Sequence, residues 1–335
     1  MKKFYSLNFG CRVNAAETNQ LSQQLIDQGY KFDAQNPDTV IINTCAITKK
    51  GEYESIHQIK KLIADNPNIK IIATGCANLD AIKNIPNVTI LNNTEKDKLS
   101  SLYTPQIKDK FSHTNRYLLK IQSGCTTNCS FCIVPSRRTT LKSLPISDAI
   151  KTINSAKTYK EVIITGVNLA QYTPGLSNLV EAILTQTKIE LISFGSIPLL
   201  CIDDKFIKLL TTNYSRLSTF LHIPIQSGSD KILKLMHRPY TTKKIKEIFL
   251  KLQSTKALEH LSFGTDIIVG FPTETDADFQ QTYDLCQSIG FSKIHVFKYS
   301  PRPGTTARNL FLKSSKLSRN SLNQRSIKIR SLVNF

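Results

Sequence analysis

The feature that most restricts the fold is a sustained alternation of short apolar runs with helix-period segments. Residues 4–9, 39–44, 70–74 and 88–91 read as strands, helices over about 14–28 and 49–65 separate the first three, and a short helix follows Asn93. Asn14 with Glu17 three residues on reads as a capping box opening the first helix, and Gly29 as its C-terminal cap. Strands alternating with helices imply a parallel α/β sheet, because parallel neighbours need a crossover between them. The stretch 96–115 is polar, contains Pro105 and has no clear period, which predicts a domain over 1–105 and a second over 113–335. Beyond it, strands at 117–122, 161–165, 189–194, 218–225, 264–269 and 293–299 alternate with helical patterns. Six such units predict a partial (β/α)6 barrel working at the carboxyl ends of its strands.

The cysteines follow that frame. Cys11, Cys45 and Cys76 each come just after a predicted strand, at the sheet edge where open α/β folds gather ligands, so they can converge although far apart in sequence. Three ordinary buried thiols are the plain alternative. Gly124-Cys125-Thr126-Thr127-Asn128-Cys129-Ser130-Phe131-Cys132 gives C-x3-C-x2-C directly after the first strand of the second domain. Three thiolates in eight residues can wrap one soft metal centre. A structural zinc wants a fourth ligand, which the local sequence does not offer, so a four-iron cluster with one open iron fits better than zinc. Cys201 and Cys286 have no such placement and read as core residues.

Residues 1–10 are too short and too broken for a signal peptide, and no later run reaches about 18 apolar residues. The expectation is a soluble, cytoplasmic protein, where clustered cysteines serve as metal ligands or redox centres rather than disulfides. A net charge of +19 points to a polyanionic partner such as nucleic acid. With 33 lysines to 11 arginines and abundant Ile and Asn, part of that excess is the drift of an AT-rich genome.

The motifs together resemble the methylthiotransferases of the radical S-adenosylmethionine superfamily. They include Asn8-Phe9-Gly10-Cys11, Asn43-Thr44-Cys45, Thr74-Gly75-Cys76, Cys129-Ser130-Phe131-Cys132-Ile133-Val134-Pro135, His222-Ile223-Pro224-Ile225-Gln226-Ser227-Gly228-Ser229, Leu233-Lys234-Leu235-Met236 and Thr265-Asp266 through Gly270-Phe271-Pro272. Phe291 through Thr305 resembles most the branch acting on threonylcarbamoyladenosine 37 of tRNA. The resemblance implies two [4Fe-4S] clusters, a radical one on Cys125, Cys129 and Cys132 and an auxiliary one on Cys11, Cys45 and Cys76. It also implies S-adenosylmethionine as cofactor, an electron donor of flavodoxin or ferredoxin type, and tRNA as partner, with no membrane. Removing hydrogen from an aromatic carbon is beyond acid–base catalysis, so the cofactor carries the chemistry and no catalytic side chain beyond the clusters is expected.

Phe131, Gly166, Asn168, Gln226 and Ser227 are expected at the cofactor, although a structural turn accounts for Ser227 equally well. His222 on an apolar strand reads more readily as a satisfied core histidine. Arg137, Arg138, Lys316, Arg319 and Arg325 are the expected tRNA contacts, with a solvated terminal helix as the plain alternative for the last three. Departures from the family pattern are the absence of an acid in Gly195-Ser196-Ile197-Pro198, the segment Ser136-Arg137-Arg138-Thr139, Asn92 in place of a glycine, and a chain that stops at Phe335 before the expected RNA-binding β-barrel (TRAM) domain. The rival substrates are isopentenyladenosine in tRNA and an aspartate of ribosomal protein S12. A non-catalytic RNA-binding remnant is the rival of another class.

Overall fold

The computed structural model describes residues 1–99, 116–156 and 158–333. Most of the expected polar linker therefore lies outside the described residues. Two compact units emerge, one of Met1–Thr126, Ile133–Pro174 and Ala182–Glu190, the other of Thr127–Cys132, Gly175–Glu181 and Leu191–Phe335.

The first unit contains a five-stranded, wholly parallel sheet of β1 (Lys3–Asn8), β2 (Lys31–Phe32), β3 (Thr39–Thr44), β4 (Lys70–Gly75) and β5 (Val88–Ile90) in the order β2-β1-β3-β4-β5. Helices α1 (Arg12–Asp27), α2 (Lys49–Asp65) and α3 (Asn93–Leu99) follow β1, β3 and β4–β5. β3 is buried along its whole length, as a central parallel strand must be when both faces are covered. Val40, Ile42, Ile71, Ala73 and Ile59 form one core cluster, and Phe4, Leu21 and Ile41 form another. The same unit holds β6 (Arg116–Ser123), parallel to β8 (Glu161–Gly166), with the short antiparallel β7 (Lys142–Ser143) on β6. α4 (Val134–Arg137) and α5 (Ile146–Ser155) lie between these strands in sequence.

Helix α1 opens at Cys11, not at Asn14, and Asn14 is a buried residue within it. Its amide donates to Asn43 Oδ1 at 2.7 Å and to Thr44 O at 2.9 Å, so the sheet takes the side chain that the capping pattern assigned to the helix end.

In the second unit β10 (Phe220–His222), β11 (Ser262–Val269) and β12 (Lys293–Lys298) form a parallel sheet, and β9 (Leu191–Phe194) and the residues after it reach the β10 segment through the parallel bridges Ile192↔Leu217 and Ser196↔His222. β10 is shorter than the expected 218–225, and at its carboxyl end Pro224 has no N–H to offer the ladder. Helix α6 (Leu176–Gln186) is shared by the two units. α7 (Asp204–Thr212), α8 (Asp230–Leu235), α9 (Thr242–Ser254), α10 (Asp276–Ile289), α11 (Thr306–Lys313) and α12 (Arg319–Arg330) complete the second. α10 carries a full capping box at Thr275 and Asp278 and ends at Gly290 with φ 70°. Among the described residues no helix is long and apolar enough to cross a membrane.

Candidate cluster sites

Cys45 and Cys76 directly follow β3 and β4, and Cys11 stands at the N-cap of α1, three residues beyond β1. β1, β3 and β4 are adjacent and in register at their carboxyl ends, with Asn8 opposite Asn43 and Thr44 opposite Gly75. The three thiols thus share one sheet edge. Gly75 makes this possible. At φ +108° a Cβ there would lie 2.4 Å from Thr44 O, so only glycine lets the strands close together before Cys76. Burial pushes the Cys45 thiol up, the amides of Ile47 and Ala46 pull it back, and negative charge on Cys76 and Cys11 pushes it further up. That mutual influence is what neighbouring thiolates exert before a metal neutralises them.

Beside Cys76 lies a buried ion cluster. Glu17, 0% exposed, accepts from Arg138 through both oxygens at 2.7 and 2.9 Å and meets Lys96 Nζ at 2.5 Å and Lys120 Nζ at 3.1 Å. Burial would raise the Glu17 carboxyl, but Arg138, Lys96 and Lys120 hold it well below the usual range. Arg138 Nε donates to Cys76 Sγ at 3.2 Å. Arg138 is 4% exposed, so its expected role as a tRNA contact is corrected: its guanidinium is spent on Glu17 and Cys76. Arg137 is half-buried, and among the described residues its Nε has no partner. Free thiols at one edge beside surplus buried positive charge suit an anionic, thiolate-held iron–sulfur group.

The second cysteine triplet occupies the loop between β6 and α4. In the first unit, Cys125 N donates to Arg138 O at 3.1 Å and Asn168 Nδ2 donates to Cys125 Sγ at 3.6 Å. Gln122 Oε1 accepts from Asn168 N at 2.8 Å, while its amide donates to Ser123 O and Gly124 O at 2.9 and 2.7 Å. Gly166, at the end of β8, packs against Gln122, where a Cβ would lie 3.0 Å from that of Gln122. Gly124 has φ +79°, and a Cβ there would lie 2.1 Å from Thr140 O.

In the second unit, the segment carrying Cys129 and Cys132 is pinned to the end of α8 and the residues after it. Ser130 Oγ donates to Leu235 O at 2.6 Å, Ser130 N to Met236 O at 3.2 Å, and His237 Nδ1 lies 2.9 Å from Asn128 O. Arg238 Nη1 donates to Cys129 Sγ at 3.3 Å, with Arg238 Nε on Tyr240 OH at 2.9 Å. Burial opposes the Arg238 charge, and Tyr240 and Cys129 together raise its pKa. Sequence reasoning missed Arg238 and Gln122. The one available hint was the position of Arg238 just after Leu233 through Met236. Phe131 packs against the apolar cluster of Ile232, Met236, Ile268, Phe271 and Ala307.

Gln226 holds the left-handed φ of 68° without being glycine, a strained backbone of the kind that collects at working sites. Ser227 is corrected. It is wholly buried, its hydroxyl lies 3.2 Å from Thr282 Oγ1 and accepts from Ser229 N at 3.2 Å, and it shapes the turn before α8. His222 is satisfied by Asp266 Oδ1 at 2.9 Å, which His295 Nδ1 also approaches at 3.2 Å. Burial pushes the Cys286 thiol up to about 12, and burial with Asp203 does the same for Cys201. Arg325 is the other corrected tRNA contact. It is 5% exposed, bound to Glu274 and to Asp276 Oδ1, and set over the Phe279 ring. Lys316 and Arg319 are exposed, and Lys316 lies 5.3 Å from the centre of the Phe311 ring.

Residues 119–286 match the family described as the Radical SAM superfamily, and residues 3–90 match "Uncharacterized protein family UPF0004". Two solved structures share the fold: a radical S-adenosylmethionine methyltransferase, TsrM, from Kitasatospora setae, with TM-score 0.60, 10% identity and coverage of 92% of this chain and 74% of that one, and the cobalamin-dependent radical enzyme OxsB, with TM-score 0.53, 12% identity and coverage of 98% and 56%. The family match over residues 119–286, with the cysteine loop inside it, therefore defines a radical S-adenosylmethionine protein.

Curated relatives narrow the class. The threonylcarbamoyladenosine tRNA methylthiotransferase MtaB of Thermotoga maritima is 36% identical over 92% of this chain and 77% of its own length, and that of Bacillus subtilis 33% over 90% and 74%. The tRNA-2-methylthio-N(6)-dimethylallyladenosine synthase of Petrotoga mobilis is 32% identical over 91% and 77%. The chain belongs to the radical S-adenosylmethionine methylthiotransferases, enzymes whose cofactors are S-adenosylmethionine and two [4Fe-4S] clusters.

Proposed function

We propose that this enzyme methylthiolates C2 of N6-threonylcarbamoyladenosine 37 in tRNA. Cys125, Cys129 and Cys132 hold the radical cluster, and Cys11, Cys45 and Cys76 the auxiliary one. The observation that carries the reading is the meeting of Cys11, Cys45 and Cys76 at one sheet edge in a chain that also bears C-x3-C-x2-C. Relatives named for threonylcarbamoyladenosine reach 36% identity and those named for dimethylallyladenosine reach 32%, which favours the former substrate.

When bound, the clusters and S-adenosylmethionine supply the radical that takes hydrogen from C2, the sulfur and the methyl group. The chain's residues hold and orient. Asn168, fixed by Gln122, aims its amide at Cys125, and Arg238 does the same at Cys129. Phe131, Gly166 and Gln226 are the remaining proposed cofactor contacts. The domains divide as 1–105 for the auxiliary site and 113–335 for the radical site. A flavodoxin- or ferredoxin-type protein delivers electrons, and exposed Lys316 and Arg319, with Arg137, contact tRNA phosphates.

The test is to incubate anaerobically reconstituted enzyme, S-adenosylmethionine and a reductant with tRNA carrying either threonylcarbamoyl- or isopentenyladenosine. A methylthio product from the first supports the proposal. Product from the second alone reassigns the substrate, and modification of S12 alone makes the protein the third branch.

A further inference from the structure

Arg138 touches a cysteine of each triplet. Its backbone oxygen accepts from Cys125 N at 3.1 Å, and its side-chain Nε donates to Cys76 Sγ at 3.2 Å. The guanidinium is braced by the two oxygens of Glu17, which also receives Lys96 and Lys120. Two buried bases, Arg138 and Lys96, therefore share one buried carboxylate that Lys120 also reaches, next to a proposed cluster ligand. Such a surplus is costly in a dry interior unless an anion lies against it. A four-iron cluster on three thiolates is an anion, and reduction makes it more negative. Nearby positive charge and N–H donors to ligand sulfur favour that reduced state.

We propose that Arg138, braced by Glu17, raises the reduction potential of the auxiliary cluster, fitting it to accept the electron left over when sulfur is transferred. This rests on the assignment of Cys11, Cys45 and Cys76 to that cluster. The electron count requires an acceptor. The carbon radical brings one electron, and the sulfur, bound to iron as an anion, brings a pair. Two of the three would make the new carbon–sulfur bond as the iron–sulfur bond breaks, and the third would be left to the cluster, which such a transfer would reduce by one electron. Arg138 is a positioning residue in this step, acting through Cys76.

The test uses protein in which Cys125, Cys129 and Cys132 are all replaced by Ala, so that only auxiliary iron remains, and reads the midpoint potential by paramagnetic resonance during a redox titration. Arg138→Gln keeps the backbone bond to Cys125 and removes the side-chain charge. It should lower the reduced-to-oxidised ratio at a fixed poise about tenfold, a drop of about 59 mV for one electron. Arg138→Lys should recover part of that drop, and Glu17→Gln, which removes the opposing charge, should raise the potential. A merely structural disturbance would not give shifts of opposite sign. An iron-loaded Arg138→Gln protein with unchanged potential, or the same direction of shift in Glu17→Gln, overturns the proposal. If Arg138→Gln takes up no iron, Lys96→Met decides: a lowered potential supports the proposal and an unchanged one overturns it. A triple-Ala background that holds no iron contradicts the cluster assignment and the proposal with it.

Discussion

Arg138 and Arg325 carry the same lesson about what a sequence conceals. Both sit in segments rich in cations and looked available to phosphate, but their carboxylate partners, Glu17 and Glu274, lie 121 and 51 residues away, so no local pattern announces the pairing. Glu17 was misread for the same reason, since its spacing from Asn14 suits a cap while its charge is consumed by the cations. Asp278 offers a residue-level test. Burial works against its charge, but the Lys231 ammonium and hydrogen bonds from Thr275 and Ser229 hold its carboxyl well below the usual range. A depressed carboxyl stabilises the fold above its unfolded value of about 3.9 and loses that contribution as pH falls through its folded value. Urea unfolding of Asp278→Asn should therefore show a deficit that is constant near neutrality and shrinks below about pH 4. A deficit that grows on acidification would contradict the pairing. At the radical loop, Arg238→Ala should lower S-adenosylmethionine cleavage and the retention of radical-cluster iron, measured by product chromatography and iron assay, while auxiliary iron stays.

The elements were the most legible level. β3 and α2 have the expected bounds because a strand buried on both faces reads as one continuous run and an amphipathic helix carries the 3.6-residue period. Strand ends also told where the cysteines would gather, because a parallel sheet carries its following loops at one edge. β2 and β7, two residues each, were not legible, for their pairing comes from neighbouring strands rather than from any pattern of their own. The two cysteine-bearing edges make separable predictions. Reconstituted protein should hold roughly eight irons, four per cluster. Replacing Cys125, Cys129 and Cys132 together should leave about half of that iron and abolish S-adenosylmethionine cleavage. Replacing Cys11, Cys45 and Cys76 should also leave about half, with cleavage retained and methylthio transfer lost. Persistent cleavage in the first variant would contradict the radical assignment.

Across the whole molecule the net charge is +19, and Lys316 and Arg319 are among its exposed cations. Phosphate contacts release counterions, so tRNA affinity should fall steeply with salt, in proportion to the phosphates neutralised. Lys316→Glu with Arg319→Glu should weaken binding and flatten that slope while cofactor cleavage persists. An unchanged slope would remove these two residues from the interface. The family's identity was legible because its motifs stand in contiguous strings, whereas the charge network around Arg138 is assembled only by folding. The most direct test of the central claim is mass spectrometry of tRNA nucleosides from cells lacking this protein, then supplied with the wild-type chain or either triple-cysteine variant. The account predicts loss of the methylthio form of threonylcarbamoyladenosine, accumulation of its precursor, and restoration by the wild-type chain alone. An unchanged nucleoside pool, or restoration by a variant lacking either triplet, would contradict it.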